Sequence, residues 1–117
     1  MQFVLVVYHG AFPLPGSAAW EALPAAEQRA IYAEWAEVNK TAGDTLRLPS
    51  LAPGKATTVQ VQGGQVQVKD GAHLAESIGG AFVFEAENVE AAIAMAARIP
   101  QARLGGAVEI RPVEQYF

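Results

Sequence analysis

Asp70 and His73 stand three residues apart in the stretch Lys69-Asp70-Gly71-Ala72-His73. A carboxylate beside an imidazole fixes its tautomer and raises its basicity, which suits general acid–base chemistry. Asp-Gly is also a common turn pair, so the plain alternative is a surface turn with an exposed His73. The other histidine, His9, follows Tyr8 at the end of the first apolar run. Strand ends commonly line pockets, and His9 joins Asp70 and His73 as a candidate catalytic group. Its alternative is a solvated ring at a strand terminus. The same three side chains suit a metal ion chemically. No His-x-His or His-x3-His spacing supports one, and no metal is expected. Tyr8 is a candidate substrate contact, through a hydroxyl that needs a partner when buried, or simply fills space. Arg47 and Arg111 offer a guanidinium fork to an anion, with Arg47 the candidate substrate contact; ion pairing is the commoner fate of both. Gly79-Gly80 is not a phosphate loop, because neither Lys nor Ser/Thr follows and a strand comes next; it reads as a backbone bend.

Bulk properties narrow the classes. A chain of 117 residues is one domain, here residues 1–117. A domain of that size buries roughly 65% of its unfolded surface, enough for one core. There is no cysteine, hence no disulfide, no thiolate metal site and no Cys nucleophile. A reducing cytoplasm fits. The net charge is −4 without a basic run, which argues against nucleic acid. The apolar run 2–8 is too short to span a bilayer and lacks the flanks of a signal peptide. Hydrophobic residues make up 51% and charged residues only 17%, a sparsely charged surface that points to a buried interface. No flavin, nicotinamide or nucleotide motif is visible, so no cofactor is expected.

The elements that position these residues follow from periodicity. Phe3–Tyr8 is a continuous β-rich run, a strand apolar on both faces. Residues 10–23 form a connection anchored by Trp20 and Leu23. Pro24 suits the first turn of a helix. Ile31, Trp35, Val38 and Ala42 form its stripe, with Trp35 read as core, and Gly43 stops it. Asp44–Leu48 is a weak strand and 49–55 a loop. Two alternating segments, Thr57–Gln62 and Gln65–Lys69, flank Gly63-Gly64, a two-residue hairpin turn. One face of the hairpin is polar, which suits a sheet edge. Ala81–Ala86 is a strand with Phe82 and Phe84 on one face. Asn88 caps a second helix with a stripe of Val89, Ile93, Ala96 and Pro100, supplemented by Ala92, Met95 and Ile99. Pro100 ends it. Ala107–Val113 is the last strand.

The order β-α-β, hairpin, β-α-β gives an α+β fold, most simply a ferredoxin-like sandwich with an added β-hairpin. Right-handed crossovers put both helices on one face of the sheet. The first strand nevertheless offers Val4, Val6 and Tyr8 to the other face. Exposing such a face forfeits several kcal/mol at ~25 cal/mol per Å2 and invites aggregation. A second subunit, sheet against sheet, is the simplest cover, so a homodimer through the sheet face is expected.

The opening FVLVVYHG, the helix ending in TAG, the TTVQV–VQVKDG hairpin, the IGGAFVFEA strand and the closing VEIRPV together resemble the YCII-related family in its DGPF-domain branch. The resemblance spans nearly the whole chain and rests on the joint order of individually weak pieces. It implies a dimeric α+β barrel, with pockets between helices and sheet or at the dimer seam. Related dimeric barrels include lactone isomerases and small monooxygenases, and some family members are encoded near extracytoplasmic-function sigma factors. Asp-Gly-Pro-Phe is here Asp70-Gly71-Ala72-His73, and the usual lysine is Ala75. Glu76 stands for the glutamate before the glycine pair and joins the candidate substrate contacts.

The expected function is a cytoplasmic small-molecule-binding dimeric barrel. As an enzyme it would be a cofactor-free proton-transfer catalyst of isomerase or lyase type. Asp70 would orient His73, His73 would move the proton, and His9 or Tyr8 would assist. The alternative is a non-catalytic interaction or regulatory module, linked to sigma-factor regulation.

Overall fold

The chain starts on its central strand. β1 (Gln2–Tyr8) alternates burial residue by residue, with Phe3, Leu5 and Val7 at most 3% exposed. The computed structural model describes residues 1–42, 57–71, 78–114 and 116. The β-branched run favours an extended backbone, and the period of two sends every second side chain to one face. Two strands flank β1, both antiparallel to it: β4 (Ile78–Glu85) and β5 (Ala107–Pro112). β1 pairs Leu5 with Phe82 on one side and with Ile110 on the other. Between Val7 and Tyr8 the β4 register shifts, so that Val7 faces Gly80 and Tyr8 faces Ile78. Gly79 is the extra residue of this bulge.

The helices are α1 (Ala18–Glu21), α2 (Ala25–Ala42), α3 (Val89–Ala96) and α4 (Pro100–Arg103). α1 falls inside the stretch read as a plain connection. The Ser17 hydroxyl caps it by accepting from the Trp20 N–H at 3.2 Å, a local bond that apolar periodicity does not report. α2 follows Pro24 as expected and buries Ile31 and Val38. Trp35 and Ala42 pack partly buried beside them. Asn88 caps α3, its side-chain oxygen accepting from the Ala91 N–H at 2.9 Å.

The stripe of α3 differs from expectation. Val89 and Ile93 are 44% and 52% exposed, while Ala92, Met95, Ala96 and Ile99 are buried. Small side chains let the helix lie close on the sheet, and the bulkier Val89 and Ile93 turn outward. Pro100 does not end α3 but starts α4, where its missing N–H is no loss.

One core cluster joins Phe3, Leu5 and Val7 to Val38, Phe82 and the α3 residues. A second, of Phe12, Trp20 and Ile31, lies beyond the end of β1, and Trp35 packs against both. Arg103 ties α4 to α2 through Glu27, at 3.3 Å, and Glu34. The hydrogen bonds Arg103 donates to Glu34, above all, and to Glu27 raise its pKa against the opposing effect of burial. The other sheet face carries Val4, Val6 and Tyr8, all half-buried.

The hairpin of β2 (Thr57–Gln62) and β3 (Gln65–Asp70) forms a separate two-stranded sheet. Gly63 and Gly64 turn it with φ of 56° and 78°, the double positive φ of the expected two-residue turn. Every residue of β3 is exposed, and Val61, Val66 and Val68 are each at least 64% exposed. The radius of gyration is 16.2 Å, against about 13 Å for a compact domain of this length. The architecture is thus α+β with antiparallel sheets, and the described residues close no barrel. Among them no helix is long and apolar enough to cross a membrane. Gly43, the strand expected over 44–48 and the loop over 49–55 lie outside the described residues.

Candidate functional site

β1 ends by delivering His9 into the interior. The His9 carbonyl accepts from the Phe12 N–H at 2.8 Å, closing a tight turn around Gly10 and Ala11. Gly10 has φ +52°, and a Cβ on it would strike the Gly105 carbonyl oxygen, so only glycine fits. The Ala11 N–H donates to that same Gly105 carbonyl at 2.9 Å. The turn holds the chain end of β1 against the segment after α4.

α4 brings up the second polar residue. Gln101 follows Pro100 and is 3% exposed; His9 is 5% exposed. The Gln101 backbone carbonyl accepts from the Gly106 N–H at 2.8 Å, which anchors it. Its side-chain Nε2 lies 3.4 Å from His9 Nδ1. His9 Nε2 and Gln101 Oε1 have no hydrogen-bond partner among the described residues. Buried polar atoms left unpaired cost about 1–3 kcal/mol each, so a pair of them at one place calls for an explanation.

Both side chains line a cavity of about 390 Å3 between the sheet and α2. That is the size of a small-molecule site. Five aromatic side chains stand in its wall, Phe12, Trp20, Tyr32, Trp35 and Phe82, and Asn39 adds a third polar side chain beside His9 and Gln101. Trp20 and Tyr32 meet edge to face, with ring centroids 5.4 Å apart. His9 stacks beside Phe12, with ring centroids 6.5 Å apart. No charged side chain of the described residues lines the cavity.

The glycine pair shapes this wall. Gly79 lies against the His9 ring so closely that a Cβ would collide with Cε1 and both nitrogens. At Gly80 a Cβ would meet nothing within 4 Å, because it would point into the cavity. What reads locally as a bend is therefore clearance for an imidazole and open volume beside it.

The candidate residues separate as follows. His9 lines the cavity, buried rather than solvated. Tyr8 lies on the opposite face of β1, half-buried and away from the cavity lining. Asp70 ends β3 on the exposed hairpin. Arg111 is ion-paired with Glu109, whose hydrogen bond and charge raise the guanidinium pKa. His73, Glu76 and Arg47 lie outside the described residues. Trp35, read as core, packs against both clusters and also faces the cavity. No sequence signal marks Gln101, because a lone glutamine after Pro100 carries no motif. Among the described residues no group of three His, Cys, Asp or Glu side chains converges on one point.

Comparison with curated proteins finds no match to the sequence. Comparison with family models finds one: the model of the YCII-related domain matches residues 1–116. With the match running over nearly every residue, the chain belongs to the YCII-related domain family.

Proposed function

We propose that the chain binds a small, largely apolar aromatic molecule in the cavity beside His9. The observation that carries this reading is the partly open space of about 390 Å3, with five aromatic side chains and a buried imidazole in its wall. Aromatic walls reward flat apolar ligands through area burial and ring contacts. If the ligand is turned over, proton transfer is the chemistry that fits, with His9 taking or giving the proton. The Asp70–His73 pair is the second acid–base candidate, and Tyr8, Arg47 and Glu76 stay the proposed polar contacts from outside the described cavity wall.

The assembly we propose is a cytoplasmic homodimer of ferredoxin-like halves, a dimeric α+β barrel of the DGPF branch. Two surfaces support it. Among the described residues no helix covers the sheet face of Val4, Val6 and Tyr8, and Val61, Val66 and Val68 stand exposed on the hairpin. A second copy covers both classes of surface at once. A non-catalytic module, of the kind a sigma-factor regulator would use, is the reading left if the cavity binds nothing.

Both tryptophans of the chain line the cavity, so their fluorescence reports on its contents. Methyl cinnamate is a suitable neutral aromatic probe. Its titration should change the emission saturably in the wild type and not in Gly80→Leu, whose side chain would occupy the space. Gly80 has an ordinary strand conformation, so the variant should fold. No saturable change in the wild type, or an unchanged response in a folded Gly80→Leu, would sink the proposal.

A further inference from the structure

We infer that Gly80 is a specificity-determining residue of the cavity: the side chain it lacks leaves a slot for the second ring of a fused bicyclic aromatic ligand. This rests on the small-molecule reading of the same cavity and adds the size and shape of the ligand.

The slot is a gap in the side-chain array of the sheet. β1 pairs Phe3 with Phe84, Leu5 with Phe82 and Val7 with Gly80. Phe3, Leu5 and Val7 are the buried positions of β1, so the residues opposite them lie on the same core-facing side. Along β4 that side reads Phe84, Phe82 and Gly80. Phenyl rings fill the first two places, and no side chain fills the third. A Cβ at Gly80 would meet no heavy atom within 4 Å. Val7 and Phe82, both buried, line the cavity beside this gap, and α2 closes the far side with Trp35.

Nothing local calls for a glycine at this position. Among the described glycines, Gly80 alone has neither a positive φ nor an atom within 4 Å of where its Cβ would lie. Glycine weakens a strand interior, and its recurrent use there is to make a bulge or bend or to let another backbone or a ligand come close. The bulge residue is Gly79, and no described backbone comes near the Gly80 position, which leaves a ligand. The volume sets its size. An apolar cavity of roughly 150 Å3 takes one benzene ring. This cavity, at about 390 Å3, is well beyond that. Part of it opens beside Tyr32, which is 60% exposed, and the remainder suits two fused rings. A third phenyl in the β4 row would remove about one ring of that space and leave a single-ring site.

The test compares methyl benzoate with methyl 2-naphthoate, two neutral esters that differ by one fused ring, by calorimetry in the wild type, Gly80→Ala and Gly80→Val. Burial of the extra ring should make the naphthoate bind the wild type at least about tenfold more tightly than the benzoate. A valine side chain is close in bulk to that extra ring and shorter than leucine. Gly80→Val should therefore abolish the preference by weakening the naphthoate and leave the benzoate unchanged, with Gly80→Ala in between. Val7 lies opposite Gly80, so its methyl proton resonances in the wild type should move upfield with the naphthoate and far less with the benzoate. Far-ultraviolet circular dichroism checks that the variants fold; if Gly80→Val does not, Gly80→Ala and the Val7 shifts decide. Equal affinities in the wild type, a preference that survives in the folded variants, an equal loss of both esters, or Val7 shifts indifferent to the second ring would overturn the slot while the cavity reading survives. If neither ester binds the wild type, both are wrong.

Discussion

Gly79 packs against the flat face of the His9 imidazole, and a Cβ at that position would lie 2.5 Å from His9 Nδ1. The extra residue of the β4 bulge is thus the residue on which the buried ring rests. An ordinary strand would place a side chain there and exclude the ring. The bulge and the missing side chain act together to admit a polar residue into an aromatic wall.

Gly79→Ala tests that relationship. Gly79 does not have a positive φ, so alanine meets no backbone strain and the cost is steric. Overpacking of this kind destabilises by about 1–3 kcal/mol. His9→Ala in the same chain should recover much of the loss, and a double-mutant cycle by urea denaturation measures the coupling. A neutral Gly79→Ala in the wild-type background would contradict the packing.

The core and the surface ion cluster should differ in weight. Leu5 is fully buried, and Leu5→Ala should cost about 2–5 kcal/mol. Arg103 is 44% exposed at its side chain, with Glu27 and Glu34 at 35% and 33%. Solvent and salt screen such pairs, so Arg103→Ala should cost at most about 1 kcal/mol. The Arg103 effect should shrink in concentrated sodium chloride and the Leu5 effect should not. Thermal melts at two salt concentrations separate them.

The hairpin should unfold locally. Gly64 has φ +78°, a region that costs a non-glycine residue about 1–2 kcal/mol. Because β3 is exposed throughout, Gly64→Ala should speed amide hydrogen exchange in β2 and β3 and leave the exchange of β1 amides unchanged. Equal acceleration in β1 would mean that the hairpin is part of the global folding unit.

Sheet-face pairing predicts a concentration-dependent assembly. Val6 sits on the face opposite Phe3, Leu5 and Val7. Val6→Lys should leave the far-ultraviolet circular dichroism intact and sediment as a monomer where the wild type sediments as a dimer. A monomeric wild type at micromolar concentration would remove the dimer from the proposal.

Much of this architecture could be read from local pattern. The strand over Phe3–Tyr8, the stripe of Ile31, Trp35, Val38 and Ala42 in α2, and the glycine turn at 63–64 all hold in the structure. Each depends on a period of two or 3.6 residues, or on one backbone angle, and those are properties of neighbouring residues. α3 shows where pattern stops. Hydrophobicity marks Val89 and Ile93 as buried, but docking on a sheet depends on how near the helix axis can come. Ala92 and Ala96 allow the approach, so their face turns inward.

The candidate site lies almost wholly beyond that limit. His9 attracts notice as a rare residue at a strand end, yet its type does not say whether it meets solvent or a wall of aromatic rings. Its partner Gln101 is 92 positions away along the chain and carries no motif. Gly79 and Gly80 look alike as a pair, but one clears space for a ring and the other opens onto a cavity. Strand and helix identity came from side-chain periodicity and turn chemistry, which act over a few residues. The meeting of β1, the β4 bulge and α4 around one cavity came from packing, in which residues distant in sequence compete for the same volume.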